Sequence, residues 1–151
     1  MTSILFICHG NICRSPVAEF VFKNMVKEAG LETSFYVESA ATSREEIGND
    51  IYPPAKRSMD MHGIPYESRA ARQITKADYD KFDYIVVMDE RNISNIERIV
   101  GEDKLGKVTK LLSWADSDKD IADPWYTGDF EQSYEDIVTG CQAMLNKVKM
   151  L

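Results

Sequence analysis

Residues 2–18 read TSILFICHGNICRSPVA. Ile4, Leu5, Phe6 and Ile7 form an unbroken apolar run that stops at Cys8. Polar and small residues follow through Ser15, and a helix-periodic segment opens at Pro16 and Val17. A short, continuously apolar run bounded by turn residues is the pattern of a strand buried on both faces. Proline at a first helical position marks a helix start. The stretch therefore predicts a strand, a tight loop and a helix, with Cys8 and Arg14 in the loop at Cys-x5-Arg spacing.

Working outward, Val17, Phe20, Val21 and Met25 give an apolar stripe at helical spacing, and Gly30 is a suitable stop. A helix is expected over 16–29 and a second strand over 34–40. The βαβ order implies a parallel sheet with right-handed crossovers. Residues 41–54 are polar and broken by Gly48, Asn49, Asp50, Pro53 and Pro54. They read as a long loop at a strand's carboxyl end, where ligand sites form in parallel α/β folds. Short helices are expected over 54–61, with His62 capping it or lying on the surface, and over 73–79, with Thr75 as cap. Residues 84–88, YIVVM, read as a third buried strand. Asp89 then lies at that strand's end and at the start of a helix running to about residue 100. Val108, Leu111, Leu112 and Trp114 suggest a last short strand or packed turn. Phe130, Tyr134, Ile137, Cys141, Leu145 and Val148 define one buried face of a final helix over 130–148. The expected fold is α/β: a three-layer α/β/α sandwich with a central four-stranded parallel sheet, as one domain over 1–151.

The chain has 151 residues and a net charge of −7, which argues against general nucleic-acid binding. It leaves room for a small anion held by local donors. No stretch is apolar enough for a membrane span, and the first ten residues lack a basic leader. Three cysteines, an odd number, favour a reducing compartment, hence a cytoplasmic location. A monomer is the expectation.

A thiol with an ordinary pKa of about 8.5 becomes a nucleophile when a helix start and an arginine lower that value. Cys8 has both. Amides of residues 9–15 wrapping inward would form an anion nest, with Gly10 and Asn11 in left-handed conformations. Arg14 offers a planar fork for two oxygens of a tetrahedral oxyanion. Ser15 can donate to the Cys8 thiolate or cap the helix. The chemistry suggested is in-line attack on a phosphoryl group. The loop lacks the lysine of a nucleotide-binding GxxxxGK[ST] motif. Leaving-group protonation needs a carboxylic acid, and the candidates are Asp116, Asp118, Asp120, Asp123 and Asp129. Asp123 is preferred because Pro124 stiffens the chain and Trp125 and Tyr126 offer apolar walls that would raise its pKa.

CHGNICRSPVAE at 8–19, SAATS at 39–43, ARQITKADYDKFDYIVVMDERN at 71–92 and DPWYTGDF at 123–130 resemble the low-molecular-weight protein tyrosine phosphatases, over nearly the whole chain. The resemblance implies hydrolysis of phosphotyrosine through a phosphocysteine intermediate, with no metal or organic cofactor and with phosphotyrosine proteins as partners. It implies Cys8 as nucleophile, Arg14 as phosphate-binding residue and Asp123 as general acid and then base. Asn11 and Ser15 resemble residues that shape the loop and steady the thiolate, Asp89 resembles a supporting carboxylate near the phosphate loop, and Ser39 of the SAATS stretch is expected to be a supporting residue as well. Cys13 resembles the partner of a reversible disulfide with the nucleophile. Trp125 and Tyr126 resemble the aromatic pair beside the substrate ring. Isoleucine at position 12, where relatives acting on phosphoarginine carry threonine, favours phosphotyrosine. Three residues depart from the family pattern. His9 replaces an apolar wall residue, Glu45 an aromatic on the opposite wall, and Arg69 a histidine of the network behind the loop. Arsenate reduction and non-catalytic phosphopeptide binding are the alternatives. The first needs further cysteines, and only Cys13 and the core-facing Cys141 are left; the second would not require both the thiol and the acid.

Overall fold

The computed structural model describes residues 1–149. Four strands run parallel in the order β2-β1-β3-β4: β1 Thr2–Cys8, β2 Phe35–Ala41, β3 Tyr84–Val87 and β4 Val108–Lys110. Helices α1 (Arg14–Glu28), α2 (Pro53–Met61), α3 (Lys76–Lys81), α4 (Glu90–Val100), α5 (Pro124–Thr127) and α6 (Phe130–Val148) complete the expected sandwich.

The alternation of side chains along β1 and β3 divides the core in two. Ile4, Phe6, Cys8, Val86 and Met88 face the cluster built by α1 and α6. Leu5, Ile7, Ile85 and Val87 face the cluster carrying Tyr79, Phe82 and Ile96 of the α3–α4 side. Both faces are covered, which is why these strands read as continuous rather than alternating apolar runs. Cys141 is fully buried on the α6 face, as its spacing predicts.

Most boundaries move by a residue or so, with two informative exceptions. Helix α1 begins at Arg14, not Pro16, so Arg14 and Ser15 occupy its first two positions. Proline is tolerated at the third, because the first turn's N–H groups have no intrahelical acceptor. Helix α3 starts and ends later than expected: Thr75 and Asp78 form a reciprocal capping box that places the start at Lys76. The segment after β4 is a tight helical turn over Leu111–Ala115, and DPWYT holds the one-turn helix α5, for which the sequence predicts no element. His62 ends α2, stacks on Tyr134 at 4.0 Å and pairs with Glu131, so its surface role also ties α2 to α6. Among the described residues no helix is long and apolar enough to cross a membrane.

Gly140 sits where α6 meets the Leu111–Ala115 turn, and a Cβ there would lie 2.5 Å from Leu111 Cγ and 3.2 Å from Leu111 O. Alanine is ordinarily the better helix former by about 1 kcal/mol, but overpacking costs about 1–3 kcal/mol. Gly140→Ala is therefore expected to destabilise the protein by about 1–2 kcal/mol in urea titration, the clash outweighing the propensity gain.

Candidate active site

All four strands point their carboxyl ends to one edge of the sheet, and β1 lies between β2 and β3. The loop after β1 is consequently flanked by the 42–52 loop after β2 on one side and by the start of α4 after β3 on the other. Cys8, His9, Gly10, Ile12, Cys13, Arg14, Glu45, Glu46, Asp123, Trp125 and Tyr126 line a cleft of about 490 Å³ there. The 41–54 loop contributes two glutamates, Glu45 and Glu46, to the lining of this cleft.

Three donors surround the Cys8 sulfur. Asn11 N donates to Sγ at 3.3 Å, Ser15 N at 3.4 Å, and Ser15 Oγ lies 3.0 Å away. Ser15 Oγ also accepts from Asn11 Nδ2 at 2.7 Å, leaving its own proton for the sulfur. Ser15 makes no helix cap, so of its two predicted roles only the first is present. Donors converging on a sulfur stabilise negative charge on it.

Asn11 is the residue that holds this turn in shape. Its φ of 59° is the left-handed conformation that asparagine accepts better than most side chains. Its amide group donates to Ser15 Oγ and to Ser39 Oγ at 3.0 Å, and its Oδ1 accepts from Arg72 N at 3.3 Å. Ser39 in turn donates to Glu19 Oε1 at 2.6 Å. Gly10, in contrast to expectation, does not adopt positive φ. One left-handed residue suffices for the turn, and Gly10 instead keeps its face clear beside the Glu46 Cγ, 3.4 Å from where a Cβ would stand. Arg69 takes a supporting position behind the loop, donating through Nη2 to the Asn11 carbonyl and through Nη1 to Asn49 O at 3.2 Å.

Arg14 is 2% exposed. Its Nη1 donates to Asp89 Oδ2 and to Ile121 O, each at 2.8 Å, and its Nη2 lies 3.4 Å from Asp123 Oδ2. Nε is buried and has no partner among the described residues, a donor that fits an oxyanion in the cleft. Burial works against the guanidinium charge, but Cys8, Asp123 and Asp89 outweigh it and raise its pKa further. Asp89 serves both readings made of it: Oδ1 caps α4 through Asn92 N at 2.9 Å while Oδ2 anchors Arg14.

Of the five acid candidates only Asp123 lines the cleft. Asp116 pairs with Lys147, Asp120 with Lys110, and Asp129 caps α6. The expected apolar surroundings of Asp123 are not found. Its Oδ1 accepts from Trp125 N at 3.0 Å, and its other oxygen faces Arg14, because the α5 turn brings a backbone amide, not a ring, against the carboxylate. Trp125 and Tyr126 are exposed at the rim, and Trp125 packs on Tyr52 with ring centroids 4.8 Å apart. His9 and Glu45, read separately as polar replacements, form one pair across the mouth, Nε2 to Oε2 at 3.0 Å. Cys13 is a free thiol on the cleft wall whose pKa is pushed well up, chiefly by burial and then by Cys8 and Asp123. The contributions of Glu46, Tyr52 and the Ile121 carbonyl were not foreseen. A main-chain acceptor leaves no side-chain signal, and Glu46 and Tyr52 lie in a loop whose path the sequence did not define.

The family model described as low molecular weight phosphotyrosine protein phosphatase matches residues 3–150. A low molecular weight protein-tyrosine-phosphatase of Bacillus subtilis, YfkJ, is 38% identical over 99% of this chain and 97% of its own length, and its crystal structure superposes with a TM-score of 0.95, covering 99% of this chain and 96% of that one. The human low molecular weight phosphotyrosine protein phosphatase is 46% identical over 96% of this chain and 94% of its own length. The crystal structure of the Streptococcus pyogenes enzyme SP-PTP is 35% identical, with a TM-score of 0.87 over 98% of this chain and 93% of that one. The chain belongs to the low molecular weight protein tyrosine phosphatase family. It is a hydrolase of phosphotyrosine that works through a cysteine.

Proposed function

We propose that this protein dephosphorylates phosphotyrosine-containing proteins in the cytoplasm, as a single domain, with Cys8, Arg14 and Asp123 as its catalytic residues. The observation that carries the assignment is the convergence of three donors on Cys8 Sγ in a cleft that also holds the Arg14 guanidinium and the Asp123 carboxylate. Cys8 attacks phosphorus, the bond to the tyrosine oxygen breaks, and Asp123 gives that oxygen a proton. A water molecule then attacks the phosphocysteine with Asp123 taking its proton, and phosphate leaves the regenerated thiolate. Arg14 and the loop amides bind the non-bridging oxygens and hold charge as it spreads over them. His9, Gly10 and Ile12 line the wall with Glu45, Trp125 and Tyr126, and the Ile12 side chain suits a phenyl ring. Asn11, Ser15, Ser39 and Asp89 position the loop and Arg14. Cys13, a free thiol in the same cleft, is the group that would close a reversible disulfide on Cys8 under an oxidant.

The role of Asp123 has a specific test. Asp123→Ala should slow phosphotyrosine hydrolysis by about 10²–10³ in kcat. p-Nitrophenyl phosphate, whose leaving group needs less help from a proton, should lose several-fold less. Equal losses on both substrates would remove Asp123 as the acid.

A further inference from the structure

The catalytic cleft opens into a second, larger groove of about 1310 Å³, sharing His9, Arg14, Glu45, Asp123 and Tyr126 as common walls. Its outer wall is the exposed side of α4, presenting Arg91, Ser94, Asn95 and Arg98. These residues stand at i, i+3, i+4 and i+7, one continuous stripe of the helix. The opposite side of α4 is turned inward by Ile96, with Ile93, Ile99 and Val100 packed on the same core, so this stripe is the one the fold leaves to solvent.

Neither Arg91 nor Arg98 makes an ion pair or a side-chain hydrogen bond among the described residues. Three carboxylates at this end of the sheet are committed elsewhere, Asp89 to Arg14 and Asn92, and Glu90 and Asp120 to Lys110, while Glu97, exposed beside Arg98, makes no ion pair with either arginine among the described residues. Two available guanidinium groups therefore face a groove continuous with the catalytic centre, in a chain whose net charge is −7. The far wall carries the reverse sign: Glu45, paired with His9, borders both the groove and the catalytic cleft, and Glu46 borders the cleft alone. Because β2 and β3 flank β1 in the sheet, the two signs lie on opposite sides of the Cys8 loop.

We propose that Arg91 and Arg98 bind acidic residues flanking the phosphotyrosine on one side, making the polarity of the cleft a determinant of which phosphopeptides are turned over. Seven helical residues separate the arginines by about 10 Å, the span of about three residues of extended peptide. A segment lying along α4 can thus offer two carboxylates to the pair. The opposite flank of the peptide meets Glu45 and Glu46, which disfavour acidic residues there. This rests on the phosphotyrosine-protein reading above.

The test uses phosphotyrosine peptides with two glutamates before, or two after, the phosphotyrosine, each beside its glutamine isostere. Every rate is divided by the same enzyme's rate on p-nitrophenyl phosphate. One of the two acidic peptides should exceed its isostere in kcat/KM by about three- to tenfold, as two exposed ion pairs allow, and the advantage should shrink with added salt. The R91Q/R98Q double variant should lose it, and R91E/R98E should turn it into a disadvantage. No preference for either acidic peptide, equal preference for both, or a preference that survives in the variants would overturn the proposal. Wild-type failure on p-nitrophenyl phosphate would instead strike the catalytic assignment, and this proposal with it.

Discussion

Cys8→Ser is expected to reduce hydrolysis of p-nitrophenyl phosphate by at least about a thousandfold, the scale on which loss of a covalent nucleophile acts. The groups against the Cys8 sulfur are donors: two backbone N–H groups and the Ser15 hydroxyl. Such a setting suits an anion that already exists. It offers no base to take a proton from a serine hydroxyl, which at neutral pH would remain protonated and inert. The cradle itself survives the change, because Arg14 is held by Asp89 and the Ile121 carbonyl, and the loop by the Asn11 side chain and Arg69. The variant should therefore still bind inorganic phosphate, measurable by calorimetry, while failing to turn over. Turnover within tenfold of wild type would exclude the thiolate mechanism.

The second large effect concerns Arg14. Arg14→Lys keeps the charge and discards the fork. The guanidinium reaches Asp89, the Ile121 carbonyl and Asp123 at once, with Nε still available to a substrate oxygen. An ammonium on a flexible stem cannot satisfy these directions together. A loss of about 10³ in kcat/KM is expected, carried mainly by kcat, since the fork acts on charge that develops during transfer. Steady-state kinetics on p-nitrophenyl phosphate decide this. A loss below tenfold would mean that positive charge alone suffices.

The placement of Arg14 also couples it to the expected effect of Asp123→Ala. At 3.4 Å the guanidinium is the closest cation to the proposed acid, so one arginine touches the anion site, the supporting Asp89 and the proton carrier. Removing any one of the three perturbs the others, and single-variant losses should not add.

The strand, loop and final helix were legible because each rests on local regularities. Ile4 to Ile7 had to be buried on both faces, and the Phe130–Val148 stripe repeats at helical spacing. Asn11 at positive φ was foreseeable from asparagine's own conformational preferences, but the same expectation for Gly10 failed. Glycine permits the left-handed region without requiring it, and the neighbouring asparagine already turns the chain. The wholly apolar setting expected for Asp123 is absent for a related reason: the α5 turn sets the Trp125 amide and the Arg14 guanidinium against the carboxylate, while the exposed Trp125 and Tyr126 side chains line the same cleft. Likewise His9 and Glu45, 36 positions apart, give no hint in sequence that they meet.

By itself the sequence determined that a cysteine and an arginine sit between a buried strand and a helix start, since strand burial, turn formation and helix initiation are short-range matters of side-chain period and backbone preference. Only the tertiary structure decided what those two residues face. Crossover connections lay β3 beside β1, and α5 folds back over the same edge. Together they bring Asp89 and Asp123, 75 and 109 residues from Arg14 in the chain, against its guanidinium. They also set the arginines of α4 opposite the glutamates of the loop after β2. Neither proximity follows from local sequence, because both depend on the order in which parallel strands pair.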